Sequence, residues 1–287
     1  MLKVVEKKKI WFGISSIIII IGLITMSVKG LNFGIDFKGG TSLVLEFSEE
    51  YNKEEADSIV KGFAPDAVTN TVENNKYEIK SKDLDSQKVS KLIEELGKKY
   101  KMPEKAIVSQ DEIGASIGKE LRVNSLKALA IAFVAMLIYI AIRFEFKFGV
   151  IALVALAHDL LVTISVFAVF GIPINAPFIA AVLTIVGYSI NATIVIFDRI
   201  RENLRLSGRD SVSEVVNRSI NQTMARSINT TLTTLFTIVS VYVFVPTVRE
   251  FSLPIIIGII SGLFSSVFIA PSLLVFITEK KNAKKRK

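Results

Sequence analysis

Cysteine is missing from all 287 residues, histidine occurs once, and no GxxxxGK[ST] phosphate loop is present. Without cysteine there is no disulfide, no thiolate metal site and no thiol nucleophile, so any domain outside a membrane must be held by its own core. Without a phosphate loop, nucleotide hydrolysis by this chain is not expected. The stretch 41–113 holds neither histidine nor a convergent carboxylate cluster. No enzymatic role, metal or cofactor is therefore expected.

The chain is rich in long apolar runs. Mean hydropathy is +0.49 and 51% of residues are hydrophobic, well above a soluble domain. Runs at 10–28, 128–142, 148–171, 177–197, 228–246 and 251–277 approach or exceed the roughly 20 residues that cross a bilayer, the second with help from its flanks. The first run follows Lys7-Lys8-Lys9 and is longer than a signal core, so it is read as a retained anchor. Charge is unevenly spread: residues 29–122 hold 15 basic and 18 acidic side chains, the rest of the chain 20 and 9. With six alternating spans, the basic clusters in 3–9, 143–147, 199–226 and 280–287 share one side, which the positive-inside rule assigns to the cytoplasm. Both termini are expected inside and 29–122 outside. Anionic lipid accounts for these basic ends more simply than nucleic acid, which is not an expected partner.

The expected fold class is an α-helical multi-pass membrane protein, a six-helix transmembrane bundle with an extracytoplasmic α+β ferredoxin-like domain. Its parts are a cytoplasmic N-terminus with the first transmembrane helix (1–28), the outer domain (29–122), transmembrane helices two to six (123–278) and a basic cytoplasmic tail (279–287). In the outer domain, strands at 42–47, 67–72, 76–81 and 106–113 alternate with helices at 53–63 and 86–100, the β-α-β-β-α-β order of a split ferredoxin-like fold. Before it, Leu31-Asn-Phe-Gly-Ile-Asp-Phe-Lys-Gly-Gly40 reads as a tight link, with Gly34, Asp36, Gly39 and Gly40 as its marked residues.

Polar residues within spans are costly in lipid and are therefore functional candidates. Thr184, Tyr188, Asn191, Val195 and Asp198 form a mostly polar stripe expected to look into a bundle. A second stripe, Arg226, Thr230, Thr233, Thr237 and Ser240, lies in the fifth span. The third span carries His158 beside Asp159 near the bilayer middle. The reading brings His158, Asp159, Asn191 and Arg226 towards one interior, where an acid with a counter-charge can carry a proton. Two plainer alternatives stand: hydroxyl and small residues glue helices together, and a buried ion pair locks a bundle. Ser211-Val-Ser-Glu214 is a capping box. The helix it opens, apolar at Val212, Val215, Val216, Ile220 and Met224, is expected to lie on the inner membrane surface.

Five segments together resemble the SecF family of the bacterial export machinery: Gly34-Ile-Asp-Phe-Lys-Gly-Gly40, Ala157-His-Asp159, Val186-Gly-Tyr-Ser-Ile-Asn191, Phe197-Asp-Arg-Ile-Arg-Glu-Asn203 and Asn221-Gln-Thr-Met-Ala-Arg226. The resemblance spans essentially the whole chain and makes Gly187, Asp198, Arg199, Arg201, Glu202 and Asn203 signature positions. It implies a resistance-nodulation-division superfamily member in the bacterial cytoplasmic (inner) membrane, paired with a SecD-like subunit. Such a pair assists the SecY translocation channel by drawing an unfolded secretory protein onward with the proton or sodium gradient. A small-molecule or lipid exporter half of the same superfamily and a structural scaffold for the translocase are the competing readings. One position departs from the family: after Gly-Tyr-Ser-Ile-Asn the family commonly carries an aspartate, its proposed ion-carrying acid, and this chain has Ala192. That leaves Asn191, Thr193 and Asp159, or an acid on the SecD-like partner, to carry the ion.

Overall fold

A computed structural model describes residues 3–73, 75–143, 145–208 and 210–285; the expectations that touch Asn74, Phe144, Arg286 and Lys287 lie outside them. In chain order, a 3-10 turn (Val5–Lys7) leads into α1 (Lys8–Lys29), and a one-turn α2 (Ile35–Lys38) precedes a small domain. That domain comprises β1 (Gly40–Glu46), α3 (Lys53–Phe63), β2 (Val68–Glu73), β3 (Lys76–Ser81), α4 (Ser86–Lys99) and β4 (Ile107–Ile113). Then come α5 (Ala115–Arg143), α6 (Phe146–Phe170), α7 (Ala176–Leu206), α8 (Val212–Phe244) and α9 (Arg249–Phe264), the last passing through a π-helical turn (Ser265–Ile269) into α10 (Ala270–Lys285). Among the described residues, six helical stretches are long and apolar enough to cross a membrane, matching the six expected spans. Helices with β-branched runs such as Ile17-Ile18-Ile19-Ile20-Ile21 persist because lipid leaves backbone groups no partner outside the helix.

The small sheet has the order β2-β3-β1-β4 and is antiparallel throughout, the ferredoxin-like arrangement read from the sequence. Strand alternation sends Leu43, Leu45, Tyr77 and Ile79 to one face, where Val60 of α3 and Val89, Leu92 and Leu96 of α4 cover them. Asn52 and Asp85 cap those two helices, accepting the N–H groups of Glu55 and Lys88. Within the bundle, α6, α7 and the final span bury much of their surface, whereas α1, α5 and α8 are largely exposed. Small residues set the close crossings: a Cβ on Gly22 would overlap Ser165, and one on Gly258 would overlap Ile185.

The link between α1 and the sheet is a joint built on the bundle. Phe33 pairs with Ile174 in the α6–α7 loop, and the Gly34 N–H donates to the Ile174 carbonyl at 3.0 Å. Arg122 of α5 donates to the Phe37 carbonyl at 2.9 Å and lies over the Phe33 ring. At Gly40, with φ of +144°, an added Cβ would lie 2.6 Å from the Ser81 carbonyl oxygen. On the other side of the joint, Lys80 of β3 pairs with Glu250 of α9 at 2.8 Å, and Glu250 also accepts from Asn175 at 2.9 Å. Burial alone would lower Lys80, but the charges of Glu250 and Glu78 outweigh it and hold the ammonium above its ordinary range.

The helix expected to lie on the inner membrane surface and run into the fifth span is the first part of α8, which is continuous with that span. Its capping box is present, with the Ser211 and Glu214 side chains bonding each other's backbone N–H. Its apolar face, Val215, Val216 and Ile220, is buried inside the bundle rather than laid on lipid. The N-terminal turn holds it there: Asn217 Oδ1 accepts the N–H groups of Val4 and Val5, and Nδ2 donates to Glu6. An amphipathic pattern is the same whether its apolar face meets lipid or neighbouring helices, and here the partners are other parts of the chain.

Candidate functional site

Asp159 sits midway along α6 with no exposed surface. Its carboxylate accepts three serine hydroxyls and stands in hydrogen-bond contact with an imidazole. Oδ1 receives Ser261 at 2.8 Å and stands 3.0 Å from His158 Nδ1; Oδ2 receives Ser189 at 2.5 Å and Ser265 at 2.8 Å. The donors come from α6, α7, α9 and the π turn, so one carboxylate ties three packed spans together. Ser261 and Ser265 stand one turn apart, Ser265 opening the π turn, and both hydroxyls reach the same carboxylate. π turns inside helices recur at functional sites. The Thr163 hydroxyl bonds the Asp159 backbone carbonyl at 2.8 Å. On its far side the His158 ring meets Ser15 Oγ of α1 through Nε2 at 2.8 Å, and it stacks against Phe264.

Arg226 and Asn191 are elsewhere. They line an outward groove of about 90 Å³ between α7 and α8 with Tyr188, Ala192, Val195, Ser227, Thr230 and Thr231. The expected convergence of His158, Asp159, Asn191 and Arg226 is therefore corrected to two separate places. The reason is angular: Ser189 faces Asp159, and Asn191, two residues on, is turned about 200° around the same helix. The α7 stripe also differs from its expected orientation. Thr184, Gly187, Asn191 and Asp198 are exposed on the outside of this chain, while Tyr188 donates to Thr231 at 3.2 Å. On α8, Arg226, Thr230, Thr233, Thr237 and Ser240 are likewise exposed. Thr193 is buried, and its hydroxyl has no partner among the described residues.

The remaining signature residues hold the helices at the end far from the sheet. Arg199 donates to Gln222 and Glu202, both at 2.7 Å, and Asn203 donates to Ser219 and Gln222, both at 2.8 Å. Arg201 lies 3.7 Å from Glu145, before α6. Gly34, Asp36, Gly39 and Gly40 fall in the joint. Ser15, Ser189, Ser261 and Ser265 were missed by sequence reasoning, which treats lone hydroxyls in a span as helix glue. Two signals were present: Ser189 lies inside the Gly-Tyr-Ser-Ile-Asn segment, and Ser261 and Ser265 stand four apart in an otherwise apolar run.

Comparison with known proteins agrees with this architecture. Residues 92–280 match the family model "Protein export membrane protein SecD/SecF, C-terminal", and residues 24–50, which include the joint, match the "SecD/SecF GG Motif". The chain is 36% identical to the protein translocase subunit SecF of Sebaldella termitidis, over 99% of this chain and 94% of that one. It is 34% identical to that of Calditerrivibrio nitroreducens, over 98% and 94%. A crystal structure of SecDF from Thermus thermophilus, described as a translocon-associated membrane protein, superposes with a TM-score of 0.81 and 33% identity over 96% of this chain. The chain spans only 38% of that SecDF chain. With the family model covering most of its length and relatives of this identity covering nearly all of it, the chain belongs to the SecF branch of the SecD/SecF family of protein export membrane proteins.

Proposed function

We propose that this chain is the SecF subunit of a Sec protein export accessory complex. It works beside a SecD-like subunit and assists the SecY channel by using a transmembrane ion gradient to draw unfolded secretory proteins across. The location is the bacterial inner membrane, with both termini in the cytoplasm and the sheet domain outside, as the positive-inside rule assigns them. The observation that carries the reading is the outward polar face of α7 and α8. Asn191, Arg226 and the hydroxyl stripe are exposed on this chain within spans that cross lipid, which is costly unless another protein half covers them. A second six-span half fits that need, and the matched SecDF chain, more than twice as long, contains more than this chain supplies.

The ion step on this subunit is assigned to the bonded His158–Asp159 pair, because the family's usual acid is Ala192 here and Asp159 is the fully buried carboxylate among the described residues. The test is export of a model secretory protein into inverted vesicles containing the channel, the ATP-driven motor, this chain and its SecD-like partner. Collapsing the proton and sodium gradients separately should remove the subunits' contribution with one of them. Equal export with both gradients collapsed would overturn gradient use, and recovery of this chain alone in active form would overturn the partner.

A further inference from the structure

His158 and Asp159 are adjacent in sequence and bonded to each other, yet they differ in what surrounds them. Asp159 is enclosed by three serine hydroxyls that donate to it and by the imidazole, which can donate to it through Nδ1, so a carboxylate that only accepts is fully satisfied there. His158 has one ring nitrogen on that carboxylate and the other on Ser15. A hydroxyl both donates and accepts, so Ser15 satisfies a neutral imidazole by donating to Nε2 and an imidazolium by accepting from it, and no heavy atom has to move. The two protonation states of His158 therefore fit one geometry.

Access points the same way. A crevice of about 280 Å³ between α1, α6 and α9 is lined by Ser15, His158, Val162, Val166, Ile257 and Ser261 among others; Asp159 does not line it. From His158 it passes Val162 and Val166 along α6, and Ile257 along α9, towards the end of the bundle that carries the sheet domain. The groups facing the imidazole are Ser15 from α1, Asp159 from its own helix, and Phe264 from α9. Asp159 is the one ionisable partner among them. A lone carboxylate charge in the middle of a span is costly, and protonation of the imidazole neutralises it.

We infer that His158 is the group that takes up and releases the proton in this subunit, with Asp159 as its fixed counter-ion, the three serines holding that carboxylate and Ser15 serving both states of the ring. This rests on the gradient-use reading above but is tested without export. His158 is the sole histidine of the chain, so ¹⁵N-histidine labelling of the full-length protein, in complex with its partner in lipid nanodiscs, gives one imidazole to follow. Acidification should convert the Nε2 resonance from the unprotonated to the imidazolium position. Asp159→Asn should change the pH dependence of that conversion, and Ser15→Ala should alter the Nε2 signal while leaving the Asp159 contact.

An imidazole held in one protonation state throughout would overturn the proposal. So would a titration indifferent to Asp159→Asn, or an infrared band of a protonated carboxyl that appears on acidification and vanishes in that variant. If Asp159→Asn does not yield folded protein, Ser261→Ala, which removes one donor and leaves the carboxylate, replaces it and should change the pH dependence of the Nε2 resonance. An unshifted titration in this variant would equally count against the assignment.

Discussion

The Asp36 carboxylate accepts the N–H of Ala176 at 2.8 Å, so the link before the sheet caps the first turn of α7. This contact connects the sheet domain's tether to the helix that bears Ser189 on one side and Asn191 on the other. Favourable charge at a helix N-terminus and a satisfied first N–H make the contact both a cap and a latch.

Asp36→Ala should destabilise the purified chain by about 1 kcal/mol, the ordinary cost of a lost cap. Gly40→Ala should cost more, because it adds a Cβ at a positive φ and against the Ser81 carbonyl. Thermal unfolding in detergent, followed by accessibility of the link to protease, checks both. A Gly40→Ala protein as stable as the parent would contradict the joint as described.

Residues 40–113, expressed alone, should fold, because the sheet, both helices and their core lie within that stretch. Its acid sensitivity follows from two carboxylates. Burial alone would raise Asp57 and Asp66, but hydrogen bonds to Asp57 from Lys53, Thr69 and Tyr77, and to Asp66 from Ser81 and Lys82, outweigh it and hold both below the usual range. A depressed folded pKa gives stability that is present above the unfolded value of about 4 and is lost as pH falls through the folded one. Urea midpoints should therefore hold down to about pH 5 and fall progressively below it, and Tyr77→Phe, which leaves Asp57 short of one donor, should cost about 1–2 kcal/mol at neutral pH. A fragment with no far-ultraviolet structure would refute an autonomous domain.

The sheet domain was legible in the sequence because each of its elements declares itself locally. Alternation at 42–47, helical spacing at 53–63 and the spacing of Val89, Leu92 and Leu96 depend on near neighbours in the chain. The Asp159 cage depends on residues 30 to 106 positions away, carried on helices that are apolar nearly all round and so give no strong preferred face. A helical wheel orders residues around their own axis but does not say which neighbour each face will meet. That is why Asn191 and Arg226 appeared to converge with Asp159 and do not. The buried face of α8 was identified correctly as apolar, yet its partner, a turn more than 200 residues earlier, had no local signal.

Orientation is testable in a chain free of native cysteine. Ser90 of α4 and Arg205 near the end of α7 are exposed, on the sheet domain and at the opposite end of the bundle. With single cysteines at these positions, an impermeant thiol reagent added to intact cells should label position 90 and leave 205 untouched until the membrane is opened. The reverse pattern would invert the assignment of inside and outside.

Ala192 shares its groove with Arg226, so the acid that the family resemblance implies at this position can be introduced in a place where a counter-charge waits. An unpaired carboxylate in lipid costs about 2.5–3.5 kcal/mol on the insertion scale, or stays protonated. Beside a guanidinium it can ionise, and its protonation then depends on whether Arg226 is near. Ala192→Asp should accordingly be inserted at normal abundance and make export more sensitive to a collapsed proton gradient, whereas Ala192→Asp with Arg226→Ala should lose that added sensitivity. Asp159→Asn and Arg226→Ala, each alone, should lower gradient-assisted release of a model secreted protein several-fold while protein level in the membrane holds. Asp159→Asn acts by removing the caged charge, and Arg226→Ala by removing the cation of the α7–α8 groove, where the partner half is proposed to dock. Normal release by both at normal abundance would reduce the intramembrane charges to structural ties and favour the scaffold reading of this subunit.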